Sequence, residues 1–125
     1  MIALDTHVAV WLHAGEISLL PRIVRKRIDT EPSVVCPLVA LELEYLFEIE
    51  RIGFSADTIL ADLATDIGLE ICSLPFLPTL REALKVTWTR DPFDRIISAH
   101  AVANALDLAT KDRLIRDNCA RAVWE

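Results

Sequence analysis

Residues 91–112, DPFDRIISAHAVANALDLATKD, decide the fold, because they set three aspartates at the ends of regular elements instead of on open surface. Pro92 has a fixed φ that suits a first helical position, so Asp91 is expected to cap a helix whose first turn contains Asp94. The apolar spacing of Ile97, Ala101 and Ala105 carries that helix over 92–105. A short strand over 106–110 follows, and Asp112 then opens another helix.

Working outward, the same alternation of short apolar strands and longer helices runs through the chain. Strands are expected over 2–4, 33–36, 69–73, 106–110 and 122–124. Helices are expected over 7–13, 19–29, 37–52, 56–67, 77–87, 92–105 and 112–118. Helical crossovers favour parallel strands, so the expected fold is α/β, with a central, mostly parallel five-stranded sheet and helices on both faces in three layers. In such folds sites gather at the carboxyl ends of strands. Asp5 follows the first strand, the helix from Pro37 follows the second, and Asp112 lies just past the fourth.

With 125 residues and 14.0 kDa, one domain spanning 1–125 is expected. A hydrophobic share of 53% excludes a disordered chain and suggests apolar surface buried against a partner, such as a second copy. No apolar run is long enough to span a bilayer, and a charge at Asp5 comes too early for a signal peptide, which points to the cytoplasm. Cys36, Cys72 and Cys119 lack metal-ligand spacing and are expected as buried free thiols. A net charge of −6 excludes nucleic-acid binding by bulk electrostatics, so any such contact must be local. Arg22, Arg25, Lys26 and Arg27 form one basic cluster, expected as a solvated helix face. Arg95, Lys111 and Arg113 lie beside the aspartates and are candidate nucleic-acid contacts.

The carboxylates carry the chemistry. Stepping about 100° per residue along the helix from Pro37, Glu42 falls among Leu38, Leu41, Tyr45, Leu46 and Ile49. A carboxylate inside an apolar stripe should be protonated, paired or metal-bound; a Glu at the stripe's edge reaching solvent is the simpler alternative. Asp5, Asp91 and Asp112 can each be explained alone as a cap or turn residue, and Asp94 as a complement to the helix dipole. Taken together, Asp5, Glu42, Asp94 and Asp112 sit where a parallel α/β fold would turn them toward one edge. Two carboxylates about 5 Å apart at an effective dielectric of about 20 repel by roughly 3 kcal/mol, so the four need protonation or divalent cations. Mg²⁺ or Mn²⁺ suits an all-oxygen set, and metal-activated water attacking a phosphodiester is the chemistry that follows.

His7, His13 and His100 join no nucleophile in a triad and are expected to be structural. Trp11, Trp88 and Trp124 are expected as core or interface anchors, since no basic residues interleave with them. Asp107 and Asp117 are expected at the surface. The sequence lacks GxGxxG after the first strand, and DTH at Asp5 lacks the second aspartate of a DxDxT phosphatase, which disfavours dinucleotide binding and phosphoryl transfer of that type.

The chain resembles the PIN-domain proteins, and more narrowly the VapC-like ribonuclease toxins of type II toxin-antitoxin pairs. The likeness rests on IALDTHVAVWL (2–12), CPLVALELEYL (36–46) and the 91–112 stretch. It implies a PIN-like fold and an Mg²⁺- or Mn²⁺-dependent endoribonuclease with Asp5, Glu42, Asp94 and Asp112 as the metal-binding and catalytic acids. Asp91 would be a supplementary acid, with Thr6 and Thr110 in support. The resemblance also implies a homodimer neutralised by a cognate VapB-like antitoxin. Cys36 stands before Pro37 where the family commonly has a small hydroxyl residue. The competing expectation is a catalytically silent PIN-like module that works by dimerisation or partner capture.

Overall fold

Five strands align in one sheet in the computed structural model, which describes residues 1–125. They are β1 (Ile2–Leu4), β2 (Ser33–Val35), β3 (Glu70–Ile71), β4 (Asp107–Ala109) and β5 (Ala122–Val123). Their order is β3-β2-β1-β4-β5, and every pairing is parallel. The helices are α1 (Thr6–Ala14), α2 (Arg22–Thr30), α3 (Pro37–Glu48), α4 (Ala56–Ile67), α5 (Leu77–Ala83), α6 (Pro92–Ala103) and α7 (Arg113–Asn118). The expected α/β architecture is present, with the sheet wholly parallel.

Both faces of the sheet are covered, which is why β1 reads as an unbroken apolar run and is buried throughout. Val34, Val35, Leu108 and Ala109 continue that layer, and Val8, Val39, Leu43, Leu63, Ile97 and Ile115 pack onto it from the helices. From β1 the chain winds outward to β2 and β3, then returns to β4 on the other side of β1 and continues to β5. Right-handed crossovers place helices on opposite faces for the two directions of winding. The reversal lies between β1 and β4, and a crevice is expected outside the carboxyl ends of those two strands.

Local chemistry explains the element ends. Gly15 (φ 76) and Gly68 (φ 69) close α1 and α4 in the left-handed region, where a glycine has no Cβ penalty. The expected helix over 19–29 starts only at Arg22, because Pro21 occupies its N-cap and Ile17–Leu19 forms a separate 3-10 turn. The helix over 37–52 stops at Glu48, and Glu50 turns left-handed (φ 61). The helix over 77–87 stops at Ala83, and the one over 92–105 stops at Ala103 ahead of left-handed Ala105 (φ 52). All three cysteines are free, with Cys36 and Cys119 buried; Cys72 is only half-buried.

The amino ends of the strands are tied by charge. Arg27 donates to Glu31 at 3.0 and 2.9 Å and to Asp107 at 2.7 Å, and Arg121 lies 3.1 Å from the same Asp107. Arg27 thus leaves the solvated face expected for its cluster, and Asp107 is half-buried instead of a free surface acid, while Arg22, Arg25 and Lys26 are exposed. Hydrogen bonding from Arg27 holds the Glu31 carboxyl down to about 2. Replacing Arg27 with Met should cost about 1–2 kcal/mol at neutral pH in urea unfolding. A depressed acid stabilises above its ordinary value of 4.5 and loses that contribution as pH falls toward 2, so the deficit should shrink across that window.

Candidate active site

Asp5 leaves β1 directly into α1 and caps that helix, accepting from Thr6 N at 2.8 Å through Oδ1. Its Oδ2 accepts from the Thr110 hydroxyl at 2.6 Å. The backbone makes the same join: Asp5 N donates to Ala109 O at 3.0 Å, extending the β1–β4 ladder by one residue. Thr110, itself fully buried, also accepts from Asp112 N at 3.1 Å. One hydroxyl therefore sets Asp5 and Asp112 relative to each other across the reversal point. Asp112 caps α7 through Oδ1, which accepts from Ile115 N at 2.9 Å, and its second oxygen has no protein donor.

Glu42 approaches from α3. Val39 and Leu43 form the buried seam of that helix, whereas Leu41, Tyr45 and Ile49 are exposed. The stripe expected around Glu42 is thus not the core face. Glu42 sits at the edge of the Val39–Leu43 seam and accepts a hydrogen bond from the buried Thr6 hydroxyl. Thr6 and Thr110, neighbours of acids in sequence, are the two hydroxyls that orient Glu42 and Asp5.

Asp91 and Asp94 come from the start of α6, which packs on α3 with the Tyr45 and Phe93 rings 6.0 Å apart. Asp91 is the cap, its Oδ1 accepting from Phe93 N at 2.8 Å and Asp94 N at 3.1 Å. The Asp94 carboxylate accepts no hydrogen bond from the protein.

All five acids line one cavity of about 500 Å³, shared with His7, Trp11 and Lys111. None of the five is in a salt bridge; the ion pairs of the molecule lie elsewhere. The cost of this crowding appears in their protonation. Asp94 is pushed up to about 7 by burial and then by the charges of Asp91, Asp112, Asp5 and Glu42. Burial also raises Asp5, against the hydrogen bonds from Thr110 and Thr6, and it raises Glu42, against the bond from Thr6. No three of the side chains close on one point as a finished ligand cage. The donor set nevertheless fits a hard divalent cation: oxygens only, five carboxylates facing a single lysine and none of them in a salt bridge, with Asp94 unbonded and Asp112 bonded at one oxygen only. A slightly larger cavity of about 570 Å³, bordered by Leu12, Leu20, Arg22, Arg25 and Lys26, gathers no carboxylate cluster.

Of the expected nucleic-acid contacts, Lys111 alone lines the acidic cavity. Arg95 is half-buried and donates to Ala83 O at 2.9 Å. Arg113 lies 3.5 Å from Asp117 and borders a separate cavity with Arg116 and Trp124. His13 pairs with Asp62 at 2.7 Å, linking α1 to α4, and His100 is buried, as structural histidines would be. His7 differs: it is exposed and lines the cavity, two residues beyond Asp5 in the first turn of α1. That position beside Asp5 was the one signal in the sequence that could have separated it from the other two.

The PIN domain family model matches residues 2–120. Ribonuclease VapC22 of Mycobacterium tuberculosis is 30% identical over 122 residues, covering 94% of this chain and 91% of that protein. A chain in the crystal structure of VapBC2 from Rickettsia felis, bound to a DNA fragment from their promoter, superposes with a TM-score of 0.66 at 15% identity, covering 100% of this chain and 98% of that one.

Proposed function

Because the chain belongs to the PIN domain family, we propose that it is a divalent-metal-dependent endoribonuclease, the toxin of a toxin-antitoxin pair. The observation that carries this reading is the convergence of Asp5, Glu42, Asp91, Asp94 and Asp112 on one cavity without a neutralising salt bridge. RNA as the substrate is supported by the relative named as a ribonuclease. Mg²⁺ or Mn²⁺ held by Asp5, Glu42, Asp94 and Asp112 would activate water for attack and offset charge on the scissile phosphate.

The chain's own groups divide the remaining work. Thr110 and Thr6 fix Asp5 and Glu42, so that these acids need little reorganisation. Asp94, pushed up to about 7 by burial and its acidic neighbours, would hold the cation only as the carboxylate, so loading would be tied to loss of its proton. Lys111 brings an ammonium to a cavity otherwise closed to phosphate by repulsion.

An exposed apolar surface on α3 and its C-cap, with Leu41, Tyr45 and Ile49, and on α5 and its C-cap, with Leu77, Leu80 and Leu84, supports a homodimer. A VapB-like antitoxin is the proposed partner, in line with the VapBC2 neighbour. No helix is long and apolar enough to cross a membrane; the cytoplasm is the proposed site of action.

The test is incubation of the purified, antitoxin-free protein with total RNA in Mg²⁺, Mn²⁺ or chelator, followed by mapping of cleaved ends. Discrete cuts that vanish with chelator are expected. Absence of cleavage together with absence of Mn²⁺ binding would leave the silent dimerisation module as the better account, and cleavage indifferent to chelator would exclude metal dependence.

A further inference from the structure

In sequence no basic residue neighbours Trp11, but in space the Lys111 ammonium stands over its indole, 5.5 Å from the ring centroid. Trp11 is the one hydrophobic side chain lining the acidic cavity. His7, one helical turn earlier, places its ring 6.2 Å away, tilted by 52°. Behind it the buried Trp124 ring lies 6.1 Å off, so the indole is braced from the core while it remains partly accessible at the cavity. An aromatic ring braced by a buried neighbour, lining the cavity, with a histidine beside it and only an exposed lysine over it, is the chemistry of a base-stacking platform.

We propose that Trp11, with His7 and Lys111 beside it, forms the nucleobase-binding wall of this cavity, holding an unpaired nucleotide next to the scissile phosphate by stacking its base on the indole. The proposal rests on the nuclease reading and adds the side chain that seats an unpaired base beside the acids, Trp11. Trp11 and Asp5 both belong to the start of the chain, on α1 and its cap, so a base on Trp11 sets its phosphate beside the acids. Lys111 covers the ring in the absence of RNA. Displaced by an entering base, its exposed ammonium is free to meet the adjoining phosphate, where it offsets repulsion from the five carboxylates.

The experiment compares two fluorescent ten-nucleotide probes, one of randomised single-stranded RNA and one of the same backbone with abasic residues throughout. Binding is read by anisotropy in Ca²⁺, and kcat and KM are read separately in Mg²⁺. Trp11→Ala should weaken the base-bearing probe by about 5- to 150-fold, the range of one lost base stack. The effect should appear in KM and leave the abasic probe within about twofold. Trp11→Phe, which preserves an aromatic face and the core contact, should recover most of the affinity; it also serves if the alanine variant fails to fold. Lys111→Gln should weaken both probes alike, as a phosphate contact does. Equal affinity of the unaltered protein for the two probes overturns the proposal, as does equal loss on both in the Trp11 variants. A protein that binds neither probe and leaves total RNA uncut in Mg²⁺ overturns the nuclease reading and this one with it.

Discussion

Asp5→Asn should lower chelator-sensitive RNA cleavage by at least about a thousandfold, equivalent to about 4 kcal/mol of transition-state stabilisation, while leaving the fold intact. Both halves follow from the bonds at this residue. Asparagine retains the oxygen that accepts from Thr6 N, and its amide can donate to the Thr110 oxygen in place of the bond now made at 2.6 Å. The cap of α1 and the link to Asp112 therefore survive. What disappears is a negative charge at the centre of the cavity, 7% exposed and raised by burial, whose removal relieves the metal-free protein instead of straining it. Circular dichroism and thermal unfolding should show an unchanged or slightly higher midpoint beside the loss of cleavage. Undiminished cleavage in this variant would remove the carboxylate site as the source of activity.

The acids were legible in the sequence largely because capping is a local affair. Asp5, Asp91 and Asp112 each precede a helix, and each accepts a hydrogen bond from a backbone N–H of that helix's first turn. Pro92 marked the start of α6, which placed Asp94. Glu42 was found through helical phase, yet the apolar neighbours that drew attention to it are mostly exposed, a distinction hydrophobicity cannot make before the partner surface is known. The pairing of Thr6 with Glu42 across 36 residues, and of Lys111 with Trp11 across the β1–β4 reversal, depends on tertiary adjacency and left no local trace. Helix ends overshot for a related reason. Residues 49–52 and 84–87 continue an apolar rhythm but terminate through backbone turns, at left-handed Glu50 and beyond Ala83, where neither glycine nor proline announces the stop.

The second large effect concerns stability in chelator, and it follows from Asp94. Its carboxyl titrates near 7 in the folded, metal-free protein against an ordinary value of 3.8. Between those values the folded state binds the proton more tightly than the unfolded chain, so stability falls as pH rises through the window and the penalty is complete above about 7. Solvent reaches this half-buried group, which discounts the penalty to about 1–3 kcal/mol. For a domain of this size that corresponds to a drop of about 5–10 °C in Tm between pH 5 and pH 8 in chelator. Asp94→Asn should raise Tm at pH 8 and flatten the profile, though not level it, because Asp5 and Glu42 are raised in the same direction. Mn²⁺ at pH 8 should lift the unaltered protein strongly and the Asp94→Asn variant weakly, since one proposed ligand and much of the repulsion are already gone. Scanning calorimetry across these conditions decides the matter. A flat profile for the unaltered protein, or an equal Mn²⁺ response in the variant, would mean that Asp94 lies outside the charge cluster, and the cavity would lose the mutual repulsion from which its need for a cation is argued.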